Sequence, residues 1–141
     1  MPAPISDLTE LLSKLQPSLH PGAYAFASVA LGSDVAGLEP LATFREPDGL
    51  SLIVEEGRAR EAGLRCLFRA AWITLAVPSD LHAVGLTAAV ATALTDAGIS
   101  CNVVAAAAHD HLFVPFEQAA EALRVLRGVQ ARAGGEGVTR P

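Results

Sequence analysis

His82, Cys101, His109, Asp110 and His111 are the residues of this chain whose types could do chemistry together. A thiol beside an imidazole is the start of a nucleophile and its base, so Cys101 with His109 or His82 is the one pairing that suggests covalent catalysis. His109 and His111 flank Asp110, which puts both rings on one side of an extended segment, and neutral imidazole is a common metal ligand. A metal site wants three or four ligands, and only His82, Asp110 and Cys101 could join the two histidines. Neither reading is preferred: Cys101 reads as an ordinary core thiol, and His109-Asp110-His111 reads as a turn beside a pocket. Gly32-Ser33-Asp34 lacks the spacing of a phosphate-binding loop. Arg45-Glu46 and Glu55-Glu56 read as solvated charges of a hairpin and a helix start. The sequence therefore predicts no catalytic residue, no metal and no cofactor.

Recognition of a small anion is the better supported chemistry. Pro78-Ser79-Asp80 stops a strand and offers N-cap candidates for the helix that follows. Free N–H groups at such a start, with the positive end of the helix dipole, suit a carboxylate, and Ser79, Asp80, Gly85 and Thr87 surround it. Glycine in the first turns of a helix costs up to about 1 kcal/mol relative to alanine, so Gly85 needs a reason. Close approach of a ligand and close packing of helix on sheet both supply one.

The elements that must position these residues follow from periodicity. Leu8, Leu11, Leu12 and Leu15 form one stripe of a short helix, capped by Asp7 with Glu10 three residues on, and Pro17 ends it. His20-Pro21-Gly22 is turn chemistry, and Ala23 to Leu31 alternates as a strand. Gly32 to Pro40 is a loop. Ala42 to Glu46 and Leu50 to Val54 flank Pro47-Asp48-Gly49 as a β-hairpin. Glu55 to Gly63 is one or two exposed helical turns, and Phe68 to Val77 is a strand rich in β-branched and aromatic residues. Leu86, Val90 and Leu94 recur every four residues in the strongest helix of the chain. Gly98 and Ile99 fit a Schellman ending to it. Asn102 to Ala108 is a buried strand, His109-Asp110-His111 a turn, Leu112 to Phe116 the return strand, and Glu117 to Gly128 an amphipathic helix. From Gly134 onward the chain reads as a flexible tail.

The second half thus runs β, α, β, β, α, which is most of a ferredoxin-like unit lacking its closing strand, because Val129 to Ala133 is short and leads into the tail. The first half supplies three strands and a weak helix, so a strand exchanged between halves would complete both units. Composition agrees with a small folded protein. The 141 residues are 51% hydrophobic and 18% charged, enough for a normal core. Mean hydropathy is +0.38, yet no run reaches the roughly 18 apolar residues of a membrane span. A net charge of -5 with only 5% aromatic residues disfavours nucleic acid and anionic lipid as partners. The N-terminal residues carry neither the basic nor the apolar region of a secretory signal, which predicts a cytoplasmic protein whose two cysteines stay reduced.

Several segments also resemble a known family. Trp72-Ile-Thr-Leu, Leu81-His-Ala-Val-Gly-Leu-Thr-Ala-Ala-Val, Ala97-Gly-Ile-Ser-Cys-Asn-Val-Val-Ala and His109-Asp-His-Leu-Phe-Val-Pro are similar to the small bacterial tandem ACT-domain proteins of uncharacterised function. Leu19-His-Pro-Gly-Ala-Tyr-Ala-Phe and Thr43-Phe-Arg-Glu-Pro-Asp-Gly-Leu-Ser-Leu resemble that family's degenerate first unit. The resemblance implies an α+β fold of two ferredoxin-like units packed as a pseudo-two-fold pair: residues 1–67, a C-terminal unit at 68–133, and a tail at 134–141. It also implies a regulatory module that binds an amino acid near its first strand-to-helix loop, here Pro78 to Thr87, facing Ala107 to Leu112. Asp110 takes the position of a contact to the ligand's amino group. The expected ligand-binding residues are Ser79, Asp80, Gly85, Leu86, Thr87 and Asp110. Ala106-Ala107-Ala108 departs from the family and empties one wall of the pocket. A ligand-free association module, which oligomerises or modulates a partner through a sheet edge or helix faces, is the alternative that this departure favours.

Overall fold

Asp7 opens the first helix by chemistry: its Oδ1 accepts a hydrogen bond from the Glu10 N–H at 2.8 Å. Glu10 does not close the reciprocal half of a capping box, since its carboxylate goes to Lys14. This helix, α1 (Leu8–Ser13), leads through Gln16 at φ 44° into β1 (Pro17–Leu19). The computed structural model describes residues 7–135. The N-terminal residues read for a secretory signal and most of the expected tail therefore lie outside the described residues. The further elements are β2 (Tyr24–Val29), β3 (Ala42–Glu46), β4 (Gly49–Glu55), α2 (Glu56–Glu61), β5 (Phe68–Leu75), α3 (Leu86–Asp96), β6 (Asn102–Ala105), β7 (Asp110–Pro115) and α4 (Ala119–Ala133).

The chain divides into two compact units, a terminal one of Met1–His20 with Trp72–Pro141 and a central one of Pro21–Ala71. In the terminal unit the strands run β1, β5, β7, β6 across the sheet. Thus β5 and β6, joined through α3, lie on either side of β7, which is the split βαβ arrangement of a ferredoxin-like fold. Its closing strand is β1, paired antiparallel so that Pro17 faces Leu75 and Leu19 faces Ile73. Val129 to Ala133, where no closing strand was available, are the last turns of α4. α1 packs on α4 and α3, and α4 also reaches β1 and β7. Leu11, Leu15, Ile73, Leu75, Val90, Leu94, Val114 and Leu126 are each at most 1% exposed and form the bulk of its core.

The central unit repeats the arrangement in reduced form. Its order is β3, β4, β2, β5, so the strands joined by each crossover again flank a third. The crossover from β2 to β3 is a loop with one 3-10 turn at Ala36–Leu38 in place of a helix. α2 packs on β2 and β4, around a core of Ala25, Leu52, Val54 and Ala59. The hairpin pairs Glu46 with Gly49. Glycine is required there for close approach, because a Cβ would lie 2.8 Å from the Val29 carbonyl oxygen. Glu56 is not a solvated helix-start charge: Arg69 on β5 donates to both its carboxylate oxygens, at 2.6 and 3.3 Å, and holds its carboxyl below the ordinary range. β5 serves both units, with Phe68–Ala71 in the central one and Trp72–Leu75 in the terminal one.

Three expected boundaries move. α3 begins at Leu86, so Ser79 and Asp80 precede a turn and do not cap the helix. The turn after β6 is Ala106–His109, closed by the Ala106 N–H on the His109 carbonyl at 3.0 Å, and Asp110 and His111 belong to β7. β6 itself is half-exposed, not buried. The Schellman ending of α3 is present, with Gly98 at φ 76° and the Ile99 N–H on the Leu94 carbonyl at 2.9 Å.

Candidate ligand-binding site

β7 starts at Asp110, opposite Ala105 of β6. Directly opposed residues share a face, and the burial of Asp110, Leu112 and Val114 marks that face as the one turned toward the core. Asp110 is 5% exposed and Ser79 8%. The Ser79 hydroxyl donates to Asp110 Oδ2 at 3.2 Å, and no other donor or cation among the described residues reaches this carboxylate. A buried carboxylate can accept several hydrogen bonds, so this one retains capacity for a donor or cation.

The loop between β5 and α3 supplies the rest of the wall. Asp80 Oδ1 accepts from the His82 N–H at 2.9 Å and its carbonyl from the Ala83 N–H at 2.9 Å, which folds Leu81 to Val84 into a tight turn. α3 then starts without any side-chain cap on its first turn. The first intrahelical bond is Ala89 N–H to the Gly85 carbonyl, so the N–H groups of Leu86, Thr87 and Ala88 have no intrahelical acceptor, as at any uncapped helix start. Between Asp110 and this helix start lies a pocket of about 160 Å³.

Five of the six expected residues, Ser79, Asp80, Leu86, Thr87 and Asp110, line that pocket. Gly85 does not. It is the N-cap of α3 at φ 101°, and a Cβ there would meet Leu8 Cδ2 at 3.1 Å, so its glycine answers to left-handed backbone and packing against α1. Leu81, Ala83 and Ala105 complete the lining. Ala105, not Ala106 to Ala108, is the alanine wall, and the signal that could have found it is the strand register that sets it opposite Asp110. Leu81 and Ala83 were legible only through the Asp80 turn.

The opposite face of the same strands carries a second polar group of residues. The Trp72 indole donates to His111 Nδ1 at 3.1 Å, and since an indole N–H only donates, Nδ1 holds a lone pair and Nε2 the proton. Thr74 Oγ1 lies 3.0 Å from the same nitrogen and 2.7 Å from His20 Nε2. The consistent proton order is His20 Nε2–H to Thr74, then Thr74 O–H to His111. The His20 ring stacks on Trp72 at 3.4 Å between centroids. Burial lowers both imidazole pKa values, with mutual repulsion adding to His20 and repulsion from His109 to His111. His109 is close enough to His111 for that repulsion to register, and His82 is exposed in its turn. No three metal-ligating side chains converge among the described residues. Cys101 is pushed up to about 11 by burial, which keeps it a thiol at neutral pH.

Two ferredoxin-like units in one chain, the terminal one complete and the central one reduced, define a class of small paired-domain proteins. ACT-domain models match residues 3–71 and 68–128, and the chain belongs to the ACT domain family. A crystal structure of a protein of unknown function from Vibrio cholerae, described as a possible transport protein, is 48% identical, with 87% of this chain and 95% of that one covered at a TM-score of 0.79. A protein from Agrobacterium tumefaciens is 19% identical over 81% of this chain and 87% of its own, at a TM-score of 0.65. The regulatory subunit of aspartate kinase from Thermus flavus shares the fold at 12% identity and a TM-score of 0.60, over 80% and 95% of the two chains. No curated protein matches.

Proposed function

We propose that this protein is a regulatory module that binds a free amino acid in the pocket of its terminal unit and performs no chemistry of its own. The observation that carries this reading is Asp110: a buried carboxylate with one hydrogen bond, facing a pocket whose other side is an uncapped helix start. An amino acid presents an ammonium and a carboxylate at a short fixed separation, and both must be satisfied once they leave water. Asp110 takes the ammonium, and the first amides of α3 take the carboxylate. The kinase regulatory subunit of the same fold supports a regulatory role by likeness alone. The protonated Cys101 supplies no nucleophile. Two free cysteines suit a reducing compartment, and we place the module in the cytoplasm; no helix among the described residues is long and apolar enough to cross a membrane.

A thermal-shift screen of the proteinogenic amino acids tests the reading. A ligand that binds only the folded state at a hundred times its Kd stabilises it by about 2.7 kcal/mol. At least one amino acid should raise Tm in the parent, and Asp110→Asn should lose that shift while melting cooperatively. A flat response across the panel at millimolar concentration overturns the proposal. It would favour association through the β3 edge, where Phe44 is 72% exposed.

A further inference from the structure

We infer that the pocket selects small neutral amino acids, with Ala105 setting the size limit and the acidic lining setting the charge limit; the inference rests on the amino-acid reading of the same site. The volume, about 160 Å³, is well below the roughly 300 to 1,000 Å³ of pockets that take drug-sized ligands. The amino-acid frame of nitrogen, two carbons and two oxygens takes most of that space. Room remains for a side chain of about one to three further atoms, as in alanine, serine, cysteine, threonine or valine.

Register explains why the space ends where it does. Ala105 faces Asp110 directly across β6 and β7, and opposed Cβ atoms of an antiparallel pair sit about 4.5 to 5.5 Å apart. The methyl group of Ala105 is thus the wall beside the ammonium position. Ala105 is itself exposed, so it stands at the rim, and a longer side chain there would narrow the pocket from its mouth. Leu86 and Ala83 offer only apolar contact to the ligand side chain.

Charge closes the remaining options. The lining carries two carboxylates, Asp80 and Asp110, and no basic side chain. An aspartate or glutamate ligand would bring a second carboxylate into that field with nothing to pair it. A lysine ligand is neutral to this objection but too long for the space, and aromatic side chains are too wide.

Calorimetric titration with alanine, serine, threonine, aspartate, lysine and phenylalanine tests the inference. Alanine, serine or threonine should bind at least tenfold tighter than the other three. Ala105→Leu should weaken that binding at least tenfold without lowering the Tm of the unliganded protein. Should that variant fold poorly, Ala105→Gly serves instead, and should improve valine relative to alanine. Tightest binding of phenylalanine, lysine or aspartate, abolished by Asp110→Asn, would overturn the size and charge limits and leave the proposed function standing. Binding of none would overturn both.

Discussion

Asp110 and His111 are chain neighbours that serve opposite faces of one strand, and each sets a measurable pH or ligand response. For His111 and His20 the folded protein favours the neutral ring, so the unfolded chain binds protons more readily. Their contribution to stability is complete above the unfolded value near 6.5 and is lost as pH falls below it. Tm should therefore drop between pH 7.5 and 5, and His111→Asn, which keeps an acceptor near the Nδ1 position, should flatten that slope when both proteins are melted across the range. An equal slope in parent and variant would remove the histidine from the account. The thiols separate in the same way. Cys66 is exposed and Cys101 half-buried with its pKa near 11, so limiting N-ethylmaleimide at pH 7.5 should label Cys66 first, as read by peptide mass spectrometry. Asp110 was legible as a ligand contact through the family resemblance, while its place between two histidines suggested only a metal site. The function of His111 was not: its partners Trp72, Thr74 and His20 lie 37 to 91 positions earlier in the chain, and only the pairing of β1, β5 and β7 gathers them.

Among the elements, α3 was the most legible and β1 the least. Leu86, Val90 and Leu94 carry a helical period, and Gly98 with Ile99 states its end in turn chemistry. Gly98→Ala should cost about 1 kcal/mol in chemical denaturation, because alanine resists φ 76°. Gly85→Leu should lower Tm through strain at φ 101° and collision with Leu8, where a Cβ already stands at 3.1 Å. Unchanged Tm in that variant would mean that α1 repacks freely. β1 has three residues, too few for any period to show, and its proline reads as the end of a helix. The start of α3 was misplaced for a related reason: Ser79 and Asp80 have the side chains of caps but spend them on Asp110 and on the 80–83 turn.

At the scale of the molecule, the sequence order β, α, β, β, α foretold a ferredoxin-like unit in the second half, and its missing strand foretold an exchange. The strand comes from the N-terminus, with α1 packed on α3 and α4 of the same unit. A fragment of Ala71 to Pro141 lacks both, and exposes the core positions that Leu11 and Leu15 fill. It should show no cooperative thermal transition by circular dichroism, and a sharp one would show that the terminal unit stands without its N-terminal segment. The exchange could not be located from sequence because strand pairing over more than fifty residues leaves no local periodicity. The pocket inherits this architecture, since β7 holds Asp110 and the β5 to α3 loop holds Ser79. What we propose is that an amino acid bridges Asp110 and the first amides of α3. An amide NMR titration with alanine, serine and threonine tests it most directly. Saturable shifts should concentrate at Ser79, Leu86 to Ala88 and Ala105 to Asp110, and be absent in Asp110→Asn. Saturable shifts confined to Pro21–Ala71, or none with any amino acid, would contradict it.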